Sequence, residues 1–205
     1  MSRKAGSVPE ETRANLISAA IAEFHAYGYE KASLRRICAK AEVTTGAIYF
    51  FFQDKEDLFA QVIMPVTNGI LKLLTEHFEW ERKRMPEEPT GGLEEDIQAA
   101  AGILEAYYAH KELFEIVLNN RERPVIIEFF DTLTELLERQ TRCFLESDFA
   151  LGNGIMDGCM IHWFSHLQVD AVLHILSHDY PEEEAKKQLA IMVKFLRGGF
   201  LSVLM

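Results

Sequence analysis

Apolar residues in this chain recur every three or four positions along almost its whole length, and strand-like alternation of apolar and polar residues is missing. A period near 3.6 serves one face of a helix and a period of two serves a strand, so the pattern commits the chain to helices. Leu16, Ile17, Ala20, Ile21, Phe24 and Tyr27 form the first stripe, which Gly28 stops. Ser33 is placed to cap a short second helix with Leu34, Ile37, Cys38 and Ala41 on its inner face. Thr44 can cap a third running through Phe51. Asp54, with Asp57 in the first turn, can cap a fourth from Lys55 to about Arg84. Residues 85–92 read as a Pro- and Gly-rich loop. Further helices are expected at 93–109, 111–119, 124–147, 154–178 and 182–204. The expectation is an all-α fold of about nine helices.

At 205 residues, 48% hydrophobic and 26% charged, the composition is that of a soluble globular protein with a real core. The longest uncharged run of the C-terminal half, Gly158 to Val169, falls short of the roughly 20 residues of a membrane span. No apolar run follows Arg3 and Lys4, so a secretory signal is not expected. Cys38, Cys143 and Cys159 are scattered, which points to reduced thiols rather than to disulfides or a zinc site. A cytoplasmic protein with no cofactor, no metal and no membrane partner is the expectation. The net charge of −11 argues against coating nucleic acid through bulk positive charge. Its distribution is uneven. Residues 1–55 carry eight Lys/Arg against six Asp/Glu, a balance of +2, and the remainder carries −13. Opposite balances suggest two jobs, with domains at 1–55 and 56–205.

One longer helix followed by two short ones across a tight turn describes a helix-turn-helix unit. A helix entering a major groove about 12 Å wide needs a low-profile start and polar or aromatic groups where it meets phosphates and base edges. Thr44, Thr45, Gly46 and Ala47 supply the first, and Tyr49 and Phe50 follow on the same helix, while Ile48 and Phe52 are spaced to anchor it. Lys55, in the first turn of the next helix, is placed to hold a phosphate beside backbone N–H groups. Ser33 and Arg35 are grouped with these residues, a solvated helix face being the alternative for Arg35 and Arg36. Arg3 and Lys4 read as a tail rather than a minor-groove arm.

The run from Val43 to Phe59 resembles the recognition helix of tetracycline-repressor (TetR) family regulators, and the likeness extends from Thr12 to about Ile63. Val43, Gly46, Ile48, Tyr49, Phe52, Lys55, Glu56, Leu58 and Phe59 fall in the family's places, as do Gly28, Ser33, Ile37 and Ala41. Glu42 departs from the pattern, standing where glycine is frequent, which costs about 1 kcal/mol if the backbone there is left-handed. Phe51 departs where histidine is common. The resemblance implies a homodimeric, ligand-responsive repressor of a pseudo-palindromic double-stranded operator. It implies further that the last two helices form a four-helix dimer interface. Ile155, Cys159 and Leu167 on one helix, and Leu189, Met192, Leu196 and Phe200 on the other, are the residues expected there.

For a small-molecule effector, largely apolar or aromatic, the candidates are Phe78, Tyr107, Tyr108, Phe114 and Leu118, with Phe130, Phe144, Met160 and Trp163. Pro65 lies inside the fourth helix, removes an N–H bond to Gln61 and is an expected hinge for effector release. His162, His166, Asp170, His174 and His178 recur at four-residue steps, but the row drifts ~40° per step, so only neighbours could share a metal. An all-α metalloenzyme or hydrolase using that row is the alternative of another class, and a constitutive DNA-binding protein without effector is a third reading.

Overall fold

In a computed structural model describing residues 8–84, 92–146 and 156–204, nine helices and no strands are found among the described residues. Their contacts divide the chain into two units. One comprises residues up to Asn68 together with His110–Ile127, and the other comprises Gly69–Ala109 and Glu128 onwards. The division after Asn68, rather than at residue 55, has a physical reason. The first turns of the fourth helix carry Leu58, Phe59, Val62 and Ile63, all of them buried.

In the N-terminal unit, α1 (Val8–Lys31) packs on α2 (Leu34–Lys40), α2 on α3 (Thr45–Ile48), and α1 also on α6 (Lys111–Leu118). Gly28, at φ 69° and ψ 168°, breaks the regular path of α1 three residues before its end. Leu16, Ala20, Phe24, Ile37 and Ile48 are buried, as are Leu58, Phe59, Val62 and Ile63 in the first half of α4 (Lys55–Arg84). Burial of each large side chain is worth about 1.5–3 kcal/mol. The Phe59 ring takes Phe24 and Tyr29 edge-on, each at 5.1 Å. Asp54 caps α4 by accepting the Asp57 N–H at 2.8 Å, and the Asp57 carboxylate returns to the Gln53 N–H. By length and composition alone α4 is apolar enough to cross a membrane. It is helical from Lys55 to Arg84, the exposed Pro65 included.

In the C-terminal unit, α5 (Leu93–Ala109), α8 (Gly158–Leu176) and α9 (Glu182–Leu204) pack on one another. With them go the second half of α4 and most of α7 (Pro124–Leu145). Leu104, Tyr107, Leu133, Ile161, Ala185 and Leu189 are buried. Asp157 caps α8 through the Met160 N–H at 2.9 Å. Arg3, Lys4, Ile155 and most of the 85–92 loop lie outside the described residues.

Candidate nucleic-acid interface

The turn between α2 and α3 is closed by main-chain bonds from Val43 to the Cys38 carbonyl and from Glu42 to the Ala39 carbonyl. Glu42, which stands where the resembled family frequently has glycine, sits at φ 57°, in the left-handed region. Buried Ile48 pins α3, which ends there rather than at Phe51; turns carry the chain on to Phe51. Thr44, Thr45 and Gly46 are exposed, Ala47 is half-buried, and Tyr49 and Phe50 stand out at 59% and 79% exposure. A Cβ added to Gly46 would meet nothing within 4 Å, and its backbone needs no positive φ. The fold therefore makes no demand for glycine at this position.

Neighbouring residues are arranged differently from the expectation. Ser33 begins α2 with an extended backbone, yet its hydroxyl makes no cap bond; instead its N–H donates to Glu23 Oε1 at 2.9 Å. Arg36 Nε donates to the same oxygen at 2.7 Å, and the guanidinium lies 4.5 Å from the Tyr27 ring centroid. Burial pushes the Glu23 carboxyl up, but Arg36 and the Ser33 N–H outweigh it and hold the group below the usual carboxylate range. Arg36 is thus engaged with α1, while Arg35 is exposed. Lys55 is half-buried and engaged within its own unit. Its ammonium donates to the Glu30 carbonyl at 3.3 Å and sits 4.5 Å over the Tyr29 ring, and burial lowers its pKa. The Asp54 carboxylate already occupies the N-terminal end of α4, where an anion would bind.

Arg123, in the turn between α6 and α7, was not foreseen at all. It pairs with Glu56 and, at 3.1 Å, with Glu30, and its guanidinium lies 3.8 Å over Tyr29. Asn120 Oδ1 accepts the Tyr29 N–H, and His25 meets Glu115 at 2.5 Å. These partners are 67 to 94 residues apart in the chain, beyond any local signal.

The nine residues expected around an effector are divided between the two units. Phe114 and Leu118 belong to the N-terminal unit and the others to the C-terminal one. The Tyr107 and Tyr108 hydroxyls donate to the carbonyls of Leu176 and Tyr180. Phe78 is buried and Phe130 half-buried; Phe144 packs on Phe200 at 5.6 Å. Met160 and Trp163 are exposed, because they lie on the outer side of α8.

On the expected dimer face, Leu189 is buried within its own unit, and Phe200 stacks on Phe164 at 4.8 Å. Leu167, Met192 and Leu196 are half-buried and Cys159 is exposed. The large apolar residues standing clear of the same two helices are Met160, Trp163, Ile191, Phe195 and Val203.

Of the histidine row, neighbours do pair. The His162 and His166 rings lie 4.5 Å apart, and His162 Nδ1 meets Glu138 Oε1 at 2.6 Å. The group among the described residues whose donor atoms come within reach of one ion lies elsewhere, at His77, Glu81 and Asp96. His77 Nε2 is 3.2 Å from Asp96 Oδ1, Gln140 Nε2 donates to Glu81 Oε2 at 2.8 Å, and Arg197 pairs with Asp96. Burial, then the negative charge of Asp96, pushes the Glu81 carboxyl up to about 7, against the pull of His77 and Gln140.

Residues 16–62 match the model of the bacterial regulatory proteins of the tetR family. The chain is 28% identical over 147 residues to the HTH-type transcriptional regulator AcrR of Shigella flexneri, covering 72% of this chain and 64% of that protein. It is 33% identical over 96 residues to the probable acrEF/envCD operon repressor of Escherichia coli K12, covering 47% and 38%. Both matches span less than two thirds of the relative's length. The fold is shared with SmeT, the repressor of the Stenotrophomonas maltophilia multidrug efflux pump SmeDEF. There the TM-score is 0.66 at 18% identity, over 92% of this chain and 91% of that one.

Proposed function

Because the chain belongs to the TetR family of bacterial regulatory proteins, we propose that it is a homodimeric transcriptional repressor whose residues 1–55 read a pseudo-palindromic operator. A small, largely apolar or aromatic effector acting on residues 56–205 would release it. The observation that carries the DNA-reading part is the leading edge of α3, with Thr44, Thr45, Gly46 and Ala47 backed by the exposed Tyr49 and Phe50. Polar and small groups there match what base edges and phosphates require. Gly46, which the protein's own packing does not need, fits close approach by a partner backbone. Arg35 is the exposed cation of the set, whereas Lys55 and Ser33 act by positioning. The repressor reading is supported by the two operon- and pump-repressor relatives. For the release route, α4 is the candidate, since the division between the units falls one turn beyond Pro65.

Gly46→Ala tests the reading. In a helix interior the change is neutral or stabilising by up to about 1 kcal/mol, so thermal unfolding should be unimpaired. Operator affinity, measured by fluorescence anisotropy at fixed salt against fragments selected from the chain's own genomic neighbourhood, should fall about tenfold. An unaltered affinity in Gly46→Ala and in Tyr49→Ala would remove α3 from the interface.

A further inference from the structure

We propose that His77, Glu81 and Asp96 form a binding site for a divalent transition-metal ion of the Zn²⁺ class inside the C-terminal unit. Four residues apart on α4, His77 and Glu81 share a face, and α5 brings Asp96 to them. The three side chains are only 12%, 14% and 22% exposed, and their donor atoms all lie within 4.8 Å of one another. His77 Nε2 is 3.2 Å from Asp96 Oδ1 and 3.9 Å from Glu81 Oε2. With metal–ligand bonds of about 2.1 Å, these separations subtend roughly 100° and 135° at an ion, on either side of the tetrahedral angle. One imidazole nitrogen with two carboxylate oxygens suits Zn²⁺ better than Mg²⁺ or Ca²⁺, which prefer oxygen alone.

The surroundings support the ligands in the way metal sites require. Arg197 engages Asp96 Oδ2 and leaves Oδ1 facing His77. Gln140 steadies Glu81 through its Nε2, while its own Oε1 is buried without a partner in the same cluster. A buried carbonyl oxygen left unserved by the protein is rare enough to require an account, and a cation beside Glu81 provides one. With both carboxylates ionised, Arg197 leaves one excess negative charge, which a divalent ion outweighs. Coordination through Nε2 places the His77 proton on Nδ1.

The experiment uses the full-length chain without a histidine tag, stripped with chelator, in thermal unfolding with Zn²⁺ alone. An ion that binds only the folded state raises the midpoint, by roughly 5 °C or more at a hundredfold excess over Kd. That rise should vanish in Glu81→Gln and in His77→Gln, persist in a His162→Ala, His166→Ala double variant, and be absent with Mg²⁺. Should either single variant fold poorly, Co²⁺ titration of the unaltered chain gives a second readout. One equivalent with tetrahedral visible absorption supports the site, and none overturns it. A wild-type midpoint unmoved by Zn²⁺, a shift surviving both single variants, or a shift lost with His162 and His166 overturns it too.

Discussion

The two units place their exposed apolar groups and their inward-facing polar groups on different elements. The N-terminal unit keeps to the common rule in its core, with Phe24, Ile37, Ile48, Leu58 and Phe59 inside, and its buried carboxylate, Glu23, is paired with Arg36. Its exposed large apolar and aromatic side chains are Tyr27, Tyr49, Phe50, Met64 and Ile127, of which Tyr49 and Phe50 sit on the segment proposed to read DNA. The C-terminal unit departs from the rule twice. It leaves Trp163, Ile191, Phe195 and Val203 in solvent, and it draws His77, Glu81 and Asp96 inside. Exposed apolar groups of this size mark a surface awaiting a partner, and a buried polar cluster marks a binding role or a cost to stability. The comparison teaches that one unit carries its specificity outward on a rigid core, whereas the other holds it within and across its faces.

The sharpest way to break that comparison is to charge the outer side of α9. Phe195→Glu should leave the protomer folded, convert the species seen in sedimentation velocity to a monomer, and weaken operator binding about 100-fold, since a lone unit reads only a half-site. Phe200→Glu should act differently. Its ring is stacked on Phe164, so the substitution should lower the unfolding midpoint of the protomer before any effect on assembly. If both variants behave alike, the division of α9 into an inner and an outer side is wrong.

A smaller effect sharpens the contrast inside the C-terminal unit. The Glu81 carboxyl has an ordinary pKa of 4.5 and one of about 7 in the fold, so the folded state binds more protons between those values. Stability must therefore fall as pH rises from about 4.5 to about 7 on account of this group. In metal-free buffer, Glu81→Gln should flatten that slope and stabilise the protein at pH 8 by on the order of 1–3 kcal/mol in urea titrations. A variant whose pH dependence parallels the unaltered chain would locate the burial cost elsewhere.

The smallest change is expected in the N-terminal unit. Glu42 holds φ 57° with a side chain that this conformation disfavours. Glu42→Gly should raise stability by about 0.5–1 kcal/mol, the relief of strain exceeding the added entropy of the unfolded chain. Chemical denaturation would detect it, and a loss of stability would show that the Glu42 side chain contributes contacts of its own.

The number of helices and their approximate positions were legible because they depend on near neighbours, although α3 ends at Ile48 rather than Phe51 and α8 runs only from Gly158 to Leu176. The Asp54 cap follows from residue types within a turn or two, whereas the left-handed Glu42 had only the family's frequent glycine to suggest it. Burial on α9 was not legible, since Leu189, Met192, Leu196 and Phe200 make one apolar stripe and Ile191, Phe195 and Val203 another. Periodicity finds both stripes and cannot rank them. The Glu23–Arg36 pair, the Arg123 contacts and the His77–Asp96–Arg197 cluster join residues 13 to 101 positions apart. Only the packing of whole helices brings such residues together. The same holds for the effector candidates, where aromatic content was visible but its partition between units was not.

The clasp at Arg123 bears on how the protein is made. Ribosomal synthesis proceeds from the N-terminus at about 5–20 residues per second, so Arg123 follows Asn68 by roughly 3–11 s. During that interval Glu30 and Glu56 lack the guanidinium that pairs with them, and the Tyr29 N–H lacks Asn120. The unit that carries α3 is therefore interrupted in the gene and completed late. A nascent chain holding the entire helix-turn-helix motif still lacks the α6 segment that finishes its unit, and a chain assembled in this order completes that unit only after Gly69–Ala109, about a third of its second unit, has been translated.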